Sequence, residues 1–172
     1  MPTTQPTPSP ALTEIFADLA QVFGLSRPAG QCFASIWRAA SPPCADDLVA
    51  ELGLARSNVS TALKELRSWN LIGAARAPGD RKDYFTAPTD AWDLLRLLVL
   101  ARQRHFITPL LDRLITAEAQ GADSRLAALH EALERANTAI ADLASMNEAG
   151  FARRLSASVD DDSRPKKKKK KR

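Results

Sequence analysis

The stretch "ADDLVAELGLARSNVSTALKELRSW", residues 45–69, constrains the fold more than any other part of the chain. It predicts a short helix that ends at Gly53, a brief turn through "GLA", and a longer helix. Asp46 and Asp47 stand near the start of the short helix, where negative charge complements the helix dipole. In the longer helix Val59, Ala62, Leu63 and Leu66 fall at i, i+3, i+4 and i+7, the spacing of one buried stripe. The opposite face carries Arg56, Ser57, Asn58, Ser60, Thr61 and Lys64, with Glu65 as the lone acidic residue of that helix. A helix that is merely solvated alternates Glu and Lys at i, i+4 spacing, and this one does not. Two helices joined by a few residues with a glycine between them form a helix-turn-helix.

The segment beyond Asn70 extends that unit. "LIGAARAPGDRKDYFTA" predicts two short strands, Leu71 to Ala75 and Tyr84 to Ala87, about a turn that contains Pro78 and Gly79. Asn70 suits the left-handed position that closes the preceding helix. Arg76, Arg81 and Lys82 project from the hairpin. A helix-turn-helix followed at once by a basic hairpin is a winged helix. Upstream, "LTEIFADLAQVFG" predicts an amphipathic helix stopped by Gly24, and a second helix begins at Pro28, buries Cys32, Phe33, Ile36 and Trp37, and is broken by "SPP" at 41–43.

Beyond Pro88 the chain reads as helical. Trp92 to Ile107 is apolar on nearly all sides and needs more than one covering neighbour. Pro109 is expected to end or kink that helix, with Thr108 capping its continuation, and Gly121 to break it. Leu126, Leu129, Leu133, Ala136, Ile140 and Leu143 then repeat at 3-4-3-4-3 spacing, a heptad seam. A winged helix is too small to cover two long apolar helices, so the seam is expected to form a dimer interface. Packing within one chain is its alternative. The expected fold is therefore mainly α: a winged helix-turn-helix with a small β-hairpin wing, followed by long C-terminal dimerisation helices. The expected organisation is a disordered segment over 1–11, the winged helix over 12–90, the helical region over 91–155 and a disordered, basic-ended tail over 156–172.

Charge is misleading at the level of the whole chain. The formal net charge is +4, but Arg164, Lys166 to Lys171 and Arg172 supply eight of the 24 basic residues, leaving sixteen against twenty acidic ones. Residues 26–90 hold eight basic and seven acidic side chains, so any basic face must be local. The tail "RPKKKKKKR" is expected to add sequence-independent, salt-sensitive affinity for DNA, or to be a low-complexity end without a role.

Other function classes find little support. The glycines form no phosphate-binding or dinucleotide fingerprint, no G-x-S-x-G occurs, and His105 and His130 lack a metal-ligand context. No catalytic residue, metal or cofactor is expected, and the chain is not expected to be an enzyme. Cys32 and Cys44 make no disulfide framework, no hydrophobic signal sequence precedes them, and a cytoplasmic setting is the natural expectation. The longest apolar run, "LLRLLVLA", is far below the roughly 20 residues that a membrane span requires.

Double-stranded DNA is the partner these side chains suit. Asn58 can pair bidentately with adenine, and Ser57, Ser60 and Thr61 can approach either base type or a thymine methyl. Arg56 and Lys64 suit guanine or phosphate, whereas Arg67 is expected to reach the backbone. Arg81 is the candidate for minor-groove insertion, flanked by Arg76 and Lys82 on phosphates, with Asp80 fixing the orientation of Arg81. Trp37, Tyr84, Trp92 and Phe106 are candidates for a ligand pocket, where aromatic faces would suit a quaternary ammonium effector, or are simply core aromatics.

Taken in order, "GLSRPAGQCFASIW", "PPCADDLVAELGLARSNVSTALKELRSWNLI" and "PGDRKDYFTA" resemble the MarR-type winged-helix transcription regulators, specifically the GbsR-like branch. The similarity spans roughly residues 12 to 95. The chain departs from the usual pattern at Ala55, where a Ser cap is common, at Asn70 for Gly, and at Gln31 for a basic residue. The resemblance implies a cytoplasmic bacterial homodimer on a pseudo-palindromic operator, usually a repressor, in some members responsive to a small ligand. The alternative is a helical scaffold whose winged helix binds another protein.

Overall fold

The computed structural model describes residues 10–76, 79–121 and 123–162. The chain order is α1 (Pro10–Phe23), α2 (Arg27–Arg38), α3 (Ala45–Leu52), α4 (Arg56–Ser68), β1 (Gly73–Ala75), β2 (Tyr84–Thr86), α5 (Ala91–Arg102), a π-turn (Gln103–Ile107), α6 (Thr108–Gln120), α7 (Ser124–Ser145) and α8 (Glu148–Asp162). It is the expected mainly helical winged helix-turn-helix with long helices after it. The basic tail and Pro78 of the wing turn lie outside the described residues.

Helix α2 starts one residue earlier than expected. Ser26 caps it by accepting from the Ala29 amide at 3.3 Å, and Pro28 sits in the first turn, where its missing N–H is no loss. Gly30 lets α2 cross α1 at backbone contact, since a Cβ there would lie 2.4 Å from the Phe16 carbonyl oxygen and 2.6 Å from Ala17 Cα. Phe16, Phe33 and Trp37 fill the same interface, with Phe16 edge-on to Phe33 at 5.9 Å.

Helices α3 and α4 take the anticipated form. Gly53 ends α3 at φ 65, a left-handed position that favours glycine. Val59, Ala62, Leu63 and Leu66 are all buried, and each fully buried Val or Leu contributes about 1.5–3 kcal/mol. Ala55 is the cap residue of α4 and provides no side-chain bond; Ser57 does not replace it with a later start. Asn70 closes the helix at φ 57, with the Leu71 amide returning to the Leu66 carbonyl at 3.0 Å.

The wing is shorter than the sequence suggests. Gly73, Ala74 and Ala75 pair antiparallel with Thr86, Phe85 and Tyr84, and neither Leu71–Ile72 nor Ala87 joins the ladder. Leu71 and Ile72 are nevertheless buried, because they turn into the core rather than along the hairpin. A further connection fixes where the wing sits: the Phe85 amide donates to the Pro43 carbonyl at 2.9 Å, and Tyr84 bridges to Cys44. The base of the hairpin is thus tied to the residue that precedes α3.

The helical backbone runs on through Pro109, which falls in the first turn of α6, and Thr108 does not cap a new helix. The backbone widens into a π-turn instead, with the Thr108 amide bonded to the Gln103 carbonyl. This insertion, just ahead of the proline, takes up the carbonyl geometry that a missing N–H would otherwise disrupt. Helix α7 lies against α5, the π-turn and α6, so part of the heptad seam packs within its own chain. Leu129 in that seam still stands 51% exposed. α8 returns over α5, burying Phe151 beside Trp92. No helix among the described residues is long and apolar enough to cross a membrane.

Candidate nucleic-acid interface

One face of α4 along its whole length, the N-terminus of α3 and the wing border a cleft of about 380 Å³. Arg56, Ser60, Lys64 and Arg67 line it from α4, Arg81, Lys82 and Asp83 from the wing, and Cys44 and Asp46 from the start of α3, with Leu63 and Phe85 at its apolar floor. Ser57, Asn58 and Thr61 are exposed on the same helix. The helix stripe that buries Val59 and Leu63 is what turns these polar side chains outward. All ten side chains expected to contact DNA are exposed on α4 or the wing. Arg76 lies at the far end of β1, just outside the cleft lining.

Two carboxylates organise the cations. Asp46 takes Arg56 at 2.7 Å through one oxygen and Lys82 at 3.2 Å through the other. Asp83 takes Arg76 at 2.6 Å and reaches Arg67 at 3.8 Å. Each therefore spans from α4 to the wing. The Lys82 hydrogen bond, then the Arg56 charge, hold the Asp46 carboxyl below the usual carboxylate range, and Arg76 does the same for Asp83. Reciprocally, Asp46 raises the Lys82 ammonium and Asp83 raises the Arg76 guanidinium. Lys64 and Arg81 make no ion pair among the described residues.

Asp80 has a different task from the one its position suggests. Its oxygens accept from the Lys82 amide at 2.9 Å and the Tyr84 hydroxyl at 2.7 Å, so it shapes the wing turn and leaves the Arg81 guanidinium unheld. The Tyr84 bond lowers the Asp80 carboxyl, and the same bond raises the Tyr84 phenol. Glu65, the lone acidic residue of α4, faces away from the cleft. It accepts from the Ser26 amide at 3.0 Å and the Ser26 hydroxyl at 2.5 Å, joining α4 to the cap of α2.

The four aromatic residues considered as a ligand pocket are not brought together. Trp37 packs on Phe16 at 5.3 Å, Tyr84 belongs to the wing, and Trp92 meets Phe151 edge-on at 6.5 Å. Phe106 lies under the Arg102 guanidinium at 4.0 Å and edge-on to Trp69. The four rings sit in separate surroundings and share no aromatic chamber among the described residues. Asp83 is the one carboxylate among Asp46, Asp83 and Glu65 that the sequence did not single out, and the partners of Asp46 and Glu65 were equally out of its reach. The near balance of acidic and basic residues over 26–90 was the only visible sign of these pairings.

No protein-family model matches the chain, and no curated protein matches it. Its fold is similar to that of a solved structure described as a transcriptional regulator. The two superpose with a TM-score of 0.62 at 18% sequence identity, over 78% of this chain and 93% of the other. The likeness is one of fold. It extends past the winged helix into the long helices, because the residues upstream of α5 make up little more than half of the chain.

Proposed function

We propose that the chain is a sequence-specific DNA-binding transcription regulator, acting as a homodimer on a pseudo-palindromic operator and repressing from it. The observation that carries this is the cleft itself: a donor-rich, exposed helix face beside a basic wing, with five cations on a single surface. Asn58, Ser57, Ser60 and Thr61 read base edges in the major groove, as short side chains on an N-terminal helix turn can. Lys64 and Arg56 reach guanine or phosphate, Arg67, Arg76 and Lys82 hold the backbone, and Arg81 enters the minor groove. The similar solved structure is described as a transcriptional regulator, in keeping with this use of the fold. The resemblance of the α2-to-wing sequence to MarR-type regulators of the GbsR-like branch points the same way, to a bacterial, cytoplasmic setting.

Dimerisation is argued from what one chain leaves uncovered. Ile15 and Val22 of α1, Ile115 of α6 and Leu129 of α7 are each more than half exposed. A second copy covering these side chains would set two recognition helices about one helical turn of DNA apart, roughly 10 base pairs between half-sites. A small-molecule effector would bind at a site completed by that second copy.

The test is in vitro selection from a randomised 30-base-pair library with the full chain, followed by fluorescence anisotropy on the enriched duplex and a shuffled one. Lys64→Ala and Arg81→Ala should each weaken operator binding by about 1–3 kcal/mol while leaving the melting temperature unchanged. A chain ending at Ser163 should keep its sequence preference. Enrichment of no sequence, or preference that vanishes with the tail, would favour the protein-binding scaffold.

A further inference from the structure

Resting on the DNA-binding reading, we infer that Asp46 and Asp83 are specificity-setting residues of this surface. Each ties one α4 cation to one wing cation, so that DNA phosphates gain those four cations only by sharing or displacing a carboxylate. The pairing follows one pattern at both carboxylates. Asp46 holds Arg56 at the start of α4 and Lys82 of the wing. Asp83 holds Arg67 at the end of α4 and Arg76 of the wing. Of the five cations that line the cleft, Lys64 and Arg81 are the two outside these bridges among the described residues.

The consequence differs between random and cognate DNA. Binding to random duplex is almost wholly phosphate neutralisation with release of counterions, so a carboxylate within the contact surface subtracts from it directly. Binding to an operator adds base contacts from Ser57, Asn58, Ser60 and Thr61, and Asp46 and Asp83 pair with none of them. For the operator the bridges also set the spacing between recognition helix and wing before DNA arrives, which lowers the ordering cost of docking both at once. The carboxylates therefore weaken nonspecific association more than specific association. The depressed carboxyls of Asp46 and Asp83, each with a cation as first cause, fit groups that remain charged at any physiological pH.

The test compares the full chain with Asp46→Asn, Asp83→Asn and the double variant, which keep side-chain shape and remove charge. Asp112→Asn on α6 makes the same charge change outside the cleft. Each is titrated by anisotropy against the duplex enriched by the wild type and a shuffled duplex, across a salt series. Each cleft variant should bind the shuffled duplex about 3- to 10-fold tighter at low salt. Its log–log salt slope should steepen by about one, and its operator-to-shuffled ratio should fall at least about threefold. Unchanged slope and ratio in variants that fold normally would overturn the inference and leave the DNA reading standing. An equal effect from Asp112→Asn would overturn it too, by assigning the change to net charge alone. If the wild type enriches no sequence, the DNA reading falls and takes the inference with it.

Discussion

Replacing Gly30 with alanine adds one methyl group at the closest approach of α1 and α2. The new Cβ would lie 2.4 Å from the Phe16 carbonyl oxygen, 2.6 Å from Ala17 Cα and 2.8 Å from Ala20 Cβ. Two of those three atoms are backbone, so no side-chain rotation relieves the contact. Ordinary contact begins at 3.4 Å, which requires α1 to withdraw by about 1 Å along its length. Phe16, Ala17 and Ala20 are buried against α2 and would lose part of that packing. Overpacking of this kind costs at the upper end of about 1–3 kcal/mol, and the better helix propensity of alanine returns about 1 kcal/mol. The net expectation is a loss of about 2 kcal/mol, or a melting temperature lower by about 4–8 °C for a chain of this size. Thermal unfolding followed by circular dichroism at fixed protein concentration measures it. Gly121→Ala is the paired control, since its Cβ meets nothing within 4 Å and its φ of −177 is open to any residue. A Gly30→Ala protein as stable as the wild type, or more so, would refute the close-contact reasoning and leave only helix propensity.

Two further outcomes concern side chains away from the cleft. Glu65→Ala removes the partner of the Ser26 amide and hydroxyl and should cost about 1–2 kcal/mol in thermal unfolding. Operator affinity of the folded fraction should barely change, and a large loss of binding with no loss of stability would show that Glu65 serves the DNA face instead. Burial pushes the Cys32 thiol up from its usual 9.0 to about 12. Above pH 9 the unfolded thiol gives up its proton while the folded one keeps it. Stability should therefore fall as pH rises through that window, by up to about 1.4 kcal/mol per pH unit. Unfolding at pH 8 to 11 should show a shallower decline for Cys32→Ala, and iodoacetamide should modify Cys32 only after denaturation.

What could be read from sequence divides along a physical line. The boundaries of α3 and α4, the left-handed Gly53 and Asn70, and the buried stripe from Val59 to Leu66 were legible, because each depends on residues within one or two helical turns. The wing was read too long because Leu71 and Ile72 have the apolar character of strand residues but spend it on the core, a tertiary matter. Pro109 signalled an interruption, yet the form it takes, a π-turn packed against α7, is a tertiary matter. The polar residues of the site were recoverable from the outward face of α4. Their bracing was not, since Asp46 meets Lys82 across 36 positions of sequence and Glu65 meets Ser26 across 39. The aromatic residues misled in the opposite sense: composition offers four rings, and only the fold says that they are apart.

Trp69, the C-terminal cap residue of α4, also has a mechanical meaning. Trp69 lies flat on His105 of the π-turn, with ring centroids 4.6 Å apart and planes 8° from parallel. Eleven residues of helix separate Trp69 from Asn58, a lever arm of about 16 Å at 1.5 Å per residue. A tilt of about 5° with its fulcrum at that stacked pair carries Asn58 by about 1.4 Å, roughly half the span of a hydrogen bond. The long helices meet α4 at its fulcrum end, so a very small movement of theirs is magnified at the far end of the lever, where Asn58 stands exposed.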